Sequence, residues 1–406
     1  MDQWTFCEAL GPEEGNRVLR AHWDAWVTED LVKDLAEREV EIVRLPIGDW
    51  TLKQYGPYVG CTDGAADAIT WFLDTCEKYG IDVLLDVHAV KGSQNGYDNS
   101  GLSNYTVWSD ENNFNHWDHA LGEWMGKFNM ETGGYDEIYF DNIVWAIDTI
   151  DGLLDKWGDH PAVTAIEPVN EPWWSSDLDI LKGFYRDVRA LMKEKQPRLT
   201  FVFHDSFHFD ANVWNDLFAD DDMDNVVMDT HQYLAWWGTT EYIGSYCDGY
   251  GNTVRNANNI KYPVWVGEWS LATDVCALWL GGFNDNNTPY AEECQWVDCP
   301  YTYLDDSTGT DFDRTADMLG PYGSNTLSTV QNGKCPKDSA YFDEDAVQTL
   351  GQCMMYIFND AVDGHFMWTA RNELEERWNY VTAYDKGWIK NSDATDPDAV
   401  ARNFTQ

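Results

Sequence analysis

Basic residues are scarce in this chain of 406 residues, which has 26 lysines and arginines against 71 aspartates and glutamates and a formal net charge of −45. Nucleic acids and anionic membrane surfaces are themselves negative and would repel such a chain. The composition therefore argues against both as partners, and it is compatible with a neutral ligand.

Long apolar runs are also missing. No stretch of about 18 apolar residues occurs, so we predict no transmembrane helix. The first residues, Met1 to Trp4, carry neither the basic region nor the apolar core of a secretory signal peptide.

Cysteine, in contrast, is plentiful: nine residues are many for a cytosolic enzyme. Four of them, Cys276, Cys294, Cys299 and Cys335, lie in one stretch rich in Asn, Asp and Gly. Their spacing does not match a zinc site, and no histidine lies between the first and the last of them. We therefore expect some disulfides, and with them an oxidising compartment.

Short apolar runs alternate along the chain with segments whose apolar residues repeat at helical spacing. Nearly continuous apolar strands that alternate with helices are typical of a parallel sheet covered by helices. Seven strands are predicted: Ile42–Pro46, Ile81–Val87, Val163–Glu167, Thr200–His204, Val226–Thr230, Val264–Gly267 and His365–Trp368.

The predicted fold class is therefore α/β, a (β/α)8 TIM barrel that lacks its first strand, because such a barrel needs eight strands. We expect residues 1–406 to form a single domain. The stretch from about 276 to 340 has no clear periodicity, and we interpret it as a long cysteine-containing loop between the last two strands.

Two glutamates, Glu171 and Glu268, each follow an apolar strand that ends in a turn or a short polar motif. Cleavage of a glycosidic bond needs two carboxyl groups, one to protonate the leaving oxygen and one to attack or stabilise the anomeric carbon. The alternative for each glutamate alone is a structural role, as a helix cap or as the partner of an arginine.

Catalytic groups of parallel barrels lie where the strands end. The other residues at these ends are Arg44, His88, Asn170, His231, Tyr233 and Trp368. Arg44 beside the nucleophilic glutamate would keep that carboxylate ionised, and Asn170 could donate to the sugar 2-hydroxyl. The two imidazoles could bind further hydroxyls, Tyr233 could orient Glu268, and Trp368 could stack on a pyranose ring.

These motifs resemble those of the fungal exo-β-1,3-glucanases of glycoside hydrolase family five, in clan A. The matching segments are residues 43–50, 86–88, 92–101, 170–172, 231–233 and 267–270. The resemblance implies a retaining mechanism with Glu171 as acid/base and Glu268 as nucleophile. It also implies that Arg44, His88, Asn170, His231, Tyr233 and Trp368 line the subsite of the cleaved sugar.

The same resemblance implies that Tyr97 and Trp236 clamp the next sugar and that Asn99 contacts substrate. We accordingly expect a β-glucan as the partner, no metal or organic cofactor, a monomer, and a secreted or cell-wall location. The family's first strand, with its sugar-binding glutamate, would lie upstream of Asp2. We therefore expect that the chain is truncated, which is the simpler explanation, or that the first position of the barrel is vacant.

Two alternatives stay open. One is a β-1,4-endoglucanase or β-mannanase on the same barrel, against which the segment from Gly92 to Gly101 favours the exo-acting group. The other is a non-catalytic glucan-binding protein or truncated form, which the missing strand favours and the retention of both glutamates disfavours.

Overall fold

Strands and helices alternate through most of the chain in a computed structural model. The structure describes residues 2–102, 122–129, 132–219, 222–235, 243–273, 344–372 and 376–390. The predicted loop at about 276–340, the four cysteines within it and Trp236 lie outside these residues.

The described strands are β1 (Ile42–Gly48), β2 (Asp82–Ala89), β3 (Gly126–Asn129), β4 (Gly134–Ile138), β5 (Val163–Glu167), β6 (Thr200–His204), β7 (Val226–His231), β8 (Val264–Trp269) and β9 (Gly364–Met367). All seven predicted strands are confirmed, with ends shifted by two residues at most. The sequence did not indicate β3 and β4, which form a separate antiparallel hairpin.

The described helices are α1 (Gln3–Trp26), α2 (Glu29–Glu37), α3 (Ala65–Tyr79), α4 (Phe140–Trp157), α5 (Leu178–Lys195), α6 (Ala211–Trp214), α7 (Ile243–Val254), α8 (Glu344–Ala361) and α9 (Tyr380–Asp385). Gly80 ends α3 as predicted, with a φ of 72° and its N–H bonded to the carbonyl of Cys76. At the start of α5, the Asp177 side chain accepts from the N–H groups of Asp179 and Ile180. None of the described helices is long and apolar enough to cross a membrane.

Two compact units divide the chain. The first comprises residues 1–230 and 259–264, and the second comprises residues 231–258 and 265–406. In the first unit the strands follow the order β1-β2-β5-β6-β7, and each neighbouring pair in this order is parallel. In the second unit β8 and β9 pair in parallel. The α/β class is thus confirmed, whereas the single domain of residues 1–406 stays a prediction.

The first unit begins with two helices that the sequence did not predict. Cys7 of α1 forms a disulfide with Cys61, and both lie in a buried cluster with Trp50 and Tyr58. Residues 2–41 contain α1 and α2 but no strand, so the described chain begins its sheet at β1. The strand order ends at β1, whose residues are mostly half-buried, whereas those of β2 are buried from Val83 to Ala89.

The core of the second unit lies between α7, α8 and β8. Its buried members include Tyr250, Val266, Trp269 and Phe358. A second disulfide, Cys247–Cys353, joins α7 to α8 within this core. Disulfides, predicted from the number of cysteines, are therefore present, although on pairs that the sequence did not identify.

Candidate active site

A buried ion network links the middle of β1, β2 and the carboxyl end of β5. Arg44 of β1 donates from Nε to Glu167 Oε2 of β5 at 2.9 Å, and its Nη2 lies 3.1 Å from Asp86 Oδ2 of β2. The three side chains are 3% or less exposed. If the guanidinium moved away from Asp86 and Glu167, it would leave buried charges uncompensated. The two carboxylates therefore fix the position of the guanidinium.

Arg44 also orients the side-chain amide of Asn170, which the sequence predicts to bind the substrate. Its Nη2 donates to Asn170 Oδ1 at 2.7 Å, so the amide nitrogen of Asn170 points the other way. That nitrogen lies 3.4 Å from His88 Nε2, while His88 Nδ1 lies 2.6 Å from Asp86 Oδ2. A proton on Nδ1 satisfies both contacts and leaves Nε2 as an acceptor. The structure thus brings Arg44, His88 and Asn170 together, while the predicted effect of Arg44 on Glu268 stays a prediction.

A glutamine that the sequence did not indicate ties these strand ends together. Gln94, which is 4% exposed, donates from Nε2 to the carbonyl of His88 at 2.8 Å and to that of Asn170 at 2.9 Å. Its Oε1 accepts from the N–H of Val90 at 3.2 Å. Gln94 therefore links the segment after β2 to the residue directly before Glu171.

The same segment is held at its start by a buried carboxyl group. Asp49, directly after β1, is 1% exposed and accepts from the Tyr55 hydroxyl at 2.9 Å and from the N–H of Lys91 at 2.7 Å. Burial raises the pKa of Asp49 to about 7, and the two hydrogen bonds oppose that rise.

Glu171 is half-buried and stands in a backbone conformation that few non-glycine residues adopt, with a φ of 42°. Its Oε2 accepts from Asn99 Nδ2 at 3.1 Å. The predicted substrate residue Asn99 therefore contacts the proposed acid/base group directly. Tyr97, two residues earlier, packs edge-on against Trp173 with ring centroids 5.0 Å apart.

The second unit contains the other glutamate. Glu268 of β8 is 6% exposed, and its Oε2 accepts from the Tyr233 hydroxyl at 2.7 Å. His231 Nδ1 lies 3.5 Å from the same oxygen. The carbonyl of Glu268 accepts from the N–H of Gln232 at 2.9 Å, so main chain and side chain are both fixed. The contact of Tyr233 with Glu268 is the one suggested by the sequence.

Trp368 lies next to Tyr233. Its N–H donates to the carbonyl of Trp269 at 2.8 Å, and its ring packs with that of Tyr233 against a small buried cluster that contains Trp378. The ring centroids of Tyr233 and Trp378 are 5.3 Å apart. The last predicted aromatic, Trp236, lies outside the described residues.

Sequence reasoning missed Asp86, Glu167 and Gln94. The signal for the first two was a charged residue inside an otherwise apolar strand, because such a group is rarely buried without a partner. Asp86 also lies two positions before His88 on β2, which puts both side chains on one face. Gln94 lies in a polar segment, and nothing in its neighbourhood marks it out.

Among the described residues of the first unit, Asp74, Glu77 and His160 bring possible metal-ligand atoms within 4.8 Å of one another. They lie at or near the surface, and a hydrogen bond of 3.2 Å between His160 Nε2 and Asp74 Oδ1 accounts for the grouping. They are not part of the site formed by the strand ends.

Known proteins resemble this chain in sequence. A protein named "Probable glucan 1,3-beta-glucosidase A" from Aspergillus terreus is 31% identical over 293 residues, which cover 70% of this chain and 61% of that protein. The chain thus spans less than two thirds of that relative. A "Glucan 1,3-beta-glucosidase" from Blumeria graminis is 27% identical over 402 residues, which cover 96% of this chain and 79% of the relative. No protein-family model matches the chain.

Solved structures resemble it in fold. A rutinosidase from Aspergillus niger superposes with a TM-score of 0.58 at 18% identity, covering 96% of this chain and 89% of that one. A glycoside hydrolase family 5 enzyme from Prevotella bryantii superposes with a TM-score of 0.52 at 11% identity, covering 91% and 86%. At such identities the likeness shows the fold, and it confirms the predicted TIM-barrel class. The chain is therefore a relative of proteins named glucan 1,3-β-glucosidase, and it has the fold of a glycoside hydrolase of family 5.

Proposed function

We propose that this chain is a retaining, exo-acting hydrolase of β-1,3-glucans that releases glucose. The observation that carries the proposal is Glu268, a buried carboxylate at the end of β8 that accepts a hydrogen bond of 2.7 Å from Tyr233. A fixed and desolvated carboxylate is what nucleophilic attack on an anomeric carbon requires. The names of the curated relatives support β-1,3-glucan as the substrate.

The proposed mechanism has two displacements. Glu171 protonates the glycosidic oxygen while Glu268 attacks the anomeric carbon, which forms a glycosyl-enzyme and releases the rest of the chain. Water then attacks the same carbon and displaces the Glu268 carboxylate, while Glu171 accepts the proton of the water, so the sugar leaves with its original configuration. Glu171 is half-buried and Glu268 is 6% exposed, and this difference suits the roles, because only the acid/base group must exchange protons with water.

The other predicted residues bind the sugar units or position the residues that do so. Asn170, oriented by Arg44, offers its amide to the 2-hydroxyl, a contact that strengthens in the transition state. His88 and His231 bind hydroxyls, and Trp368 supplies an apolar surface for the ring. Tyr97 and Trp236 clamp the first sugar of the leaving group, and Asn99 positions Glu171.

Hydrolysis of laminarin followed by sugar analysis tests the proposal. Glucose as the first and only early product supports exo action, whereas a ladder of oligosaccharides indicates an endo-acting enzyme. Cleavage of a β-1,4-glucan or a mannan in preference to laminarin favours the alternative substrates. No cleavage by a folded chain, with laminarin still bound, identifies a non-catalytic binding protein.

The roles of the two glutamates have a separate test. Glu268→Ala should abolish turnover of natural and activated aryl substrates alike. Glu171→Ala should spare the first step on aryl glucosides with good leaving groups, which need no proton, and azide should restore its turnover. Glu137→Ala, which removes an exposed carboxylate of β4, is the matched control and should keep full activity. A product of inverted configuration, or equal losses without rescue, would contradict these roles.

We further propose a secreted or cell-wall location and a monomeric state. The disulfides Cys7–Cys61 and Cys247–Cys353 favour an oxidising compartment. Light scattering coupled to gel filtration should give the mass of one chain, and a mass twice as large would contradict the monomer.

A further inference from the structure

Two adjacent tryptophans, Trp173 and Trp174, follow Glu171 on the segment after β5. Trp173 is half-buried, and Trp174 is 48% exposed. A single exposed aromatic residue needs no explanation in itself. These two do, because the structure holds them firmly beside a proposed catalytic group.

Several contacts fix Trp173. Its ring packs edge-on between two others, with centroids 5.0 Å from that of Tyr97 and 5.1 Å from that of Phe207. Its N–H donates to the carbonyl of Gln94 at 3.3 Å, and its own carbonyl accepts from the Ser206 hydroxyl at 2.9 Å. The aromatic row is therefore formed before any ligand binds.

The turn after β6 supports this row. Phe207 is 41% exposed and has a φ of 59°, a conformation that costs free energy in a residue other than glycine. Its N–H donates to Asp205 Oδ1 at 2.8 Å, and Asp205 Oδ2 accepts from the Thr230 hydroxyl at 2.7 Å. From the same turn, His208 Nε2 lies 2.9 Å from the carbonyl of Trp174. The turn thus holds the backbone that presents both indoles.

The position of the row decides which part of a substrate could reach it. One short segment contacts both Glu171, through Asn99, and Trp173, through Tyr97. A group that protonates the leaving oxygen borders the leaving part of the substrate. Trp173 therefore lies on the leaving-group side, and the exposed Trp174 follows it directly in the chain. The net charge of −45 favours an uncharged occupant.

We propose that Trp173 and Trp174 bind glucosyl units of the leaving chain beyond the first one, so that the enzyme selects longer β-1,3-glucan chains. The apolar faces of pyranose rings pack on aromatic surfaces, and a rigid row can receive them at small entropic cost. This inference rests on the proposed function and adds a length preference to it.

Kinetics on oligosaccharides of two lengths test the inference. For the wild type, kcat/KM should be higher on laminaripentaose than on laminaribiose, because only the longer substrate reaches Trp174. Trp174→Ala should lower the ratio of the two values by about fivefold, as expected for the loss of one aromatic contact, and Trp174→Phe should restore part of it. Trp71→Ala removes an indole that is 43% exposed on α3 of the same unit, and it should leave the ratio unchanged.

Binding gives a second measurement that does not depend on turnover. By calorimetry, laminaripentaose should bind Glu268→Gln more tightly than it binds the double variant Glu268→Gln/Trp174→Ala. If the wild type cleaves both oligosaccharides but Trp174→Ala keeps the wild-type ratio and affinity, the inference is wrong while the proposed function stands. If the wild type neither binds nor cleaves either oligosaccharide, the proposed function itself fails.

Discussion

Replacing Gln94 by leucine should separate a positioning role from a structural one. The change keeps the approximate size of the side chain but removes two donors and one acceptor. The carbonyls of His88 and Asn170 and the N–H of Val90 would lose hydrogen bonds of 2.8, 2.9 and 3.2 Å. Gln94 is 4% exposed, so water can replace these bonds only if the backbone moves.

The size of the effect follows from those bonds. A buried polar group left unpaired costs about 1–3 kcal/mol. Three such groups together should lower the free energy of unfolding by at least about 3 kcal/mol. The backbone can relieve part of this cost by moving the residues before Glu171, which would displace the proposed acid/base group. We therefore expect kcat on laminari-oligosaccharides to fall by at least about tenfold, since a small misplacement of a catalytic group can cost about a hundredfold.

The assay compares two substrates. An aryl glucoside with a good leaving group needs no proton from Glu171 in the first step, so Gln94→Leu should affect it less than it affects the oligosaccharide. Gln54→Leu is the control, because Gln54 makes two side-chain hydrogen bonds, to Asp63 and Gly60, away from the strand ends. Equal losses on both substrates at 25 °C, with the thermal midpoint lowered, would refute the positioning role and leave Gln94 a purely structural residue.

Three further predictions concern other contacts. Tyr233→Phe removes the hydrogen bond of 2.7 Å to Glu268 and should lower kcat/KM about ten- to a hundredfold, because a bond to a charged group is worth about 1.5–3 kcal/mol. Asp49 has a folded-state pKa of about 7 against 3.8 for the ordinary group, so the wild type should lose stability relative to Asp49→Asn as the pH rises from 4 to 8, by on the order of 4 kcal/mol. Replacing Cys7 and Cys61 by serine opens a link between residues 54 apart and should lower the free energy of unfolding by about 4 kcal/mol.

Each of these has its own control and measurement. Tyr79→Phe removes a comparable bond of 2.9 Å to Glu29, remote from the site, and should leave kcat/KM unchanged. For Asp49, the difference in thermal midpoint between the two proteins is followed across pH, and a constant difference would contradict the raised pKa. For the disulfide, urea unfolding is measured for the double serine variant and for the wild type in its oxidised and reduced forms. Equal stability of the oxidised wild type and the double serine variant would refute the estimate.

The sequence predicted the sheet well because its strands carry a strong local signal. Apolar runs such as Val163–Glu167, closed by turn residues and followed by helical stripes, leave little choice of structure. The residues that directly follow these runs include several residues of the candidate site. The position of Glu171 and Glu268 at strand ends was therefore predictable from the chain alone.

The parts that were missed carry weak local signals. Gly11 and Pro12 in α1 look like a turn, and Gly11 indeed has a φ of 71° inside the helix, while only Cys7 and Gly15 of that helix are buried. Disulfide partners 54 and 106 residues apart are brought together by the fold and not by spacing. The bonds of Gln94 likewise depend on two strand ends that meet only after β2 and β5 pair.

The backbone of Glu171 bears on how refolded material should be judged. A φ of 42° is unfavourable for glutamate, and the residue before a proline is restricted further. An isolated loop would abandon this conformation, which persists because β2 and β5 are paired and Asn170 donates from its N–H to the carbonyl of Val87 at 3.0 Å. A preparation could therefore regain its full helix and strand content while this residue points elsewhere. For this chain, turnover is a more faithful measure of recovered native structure than circular dichroism.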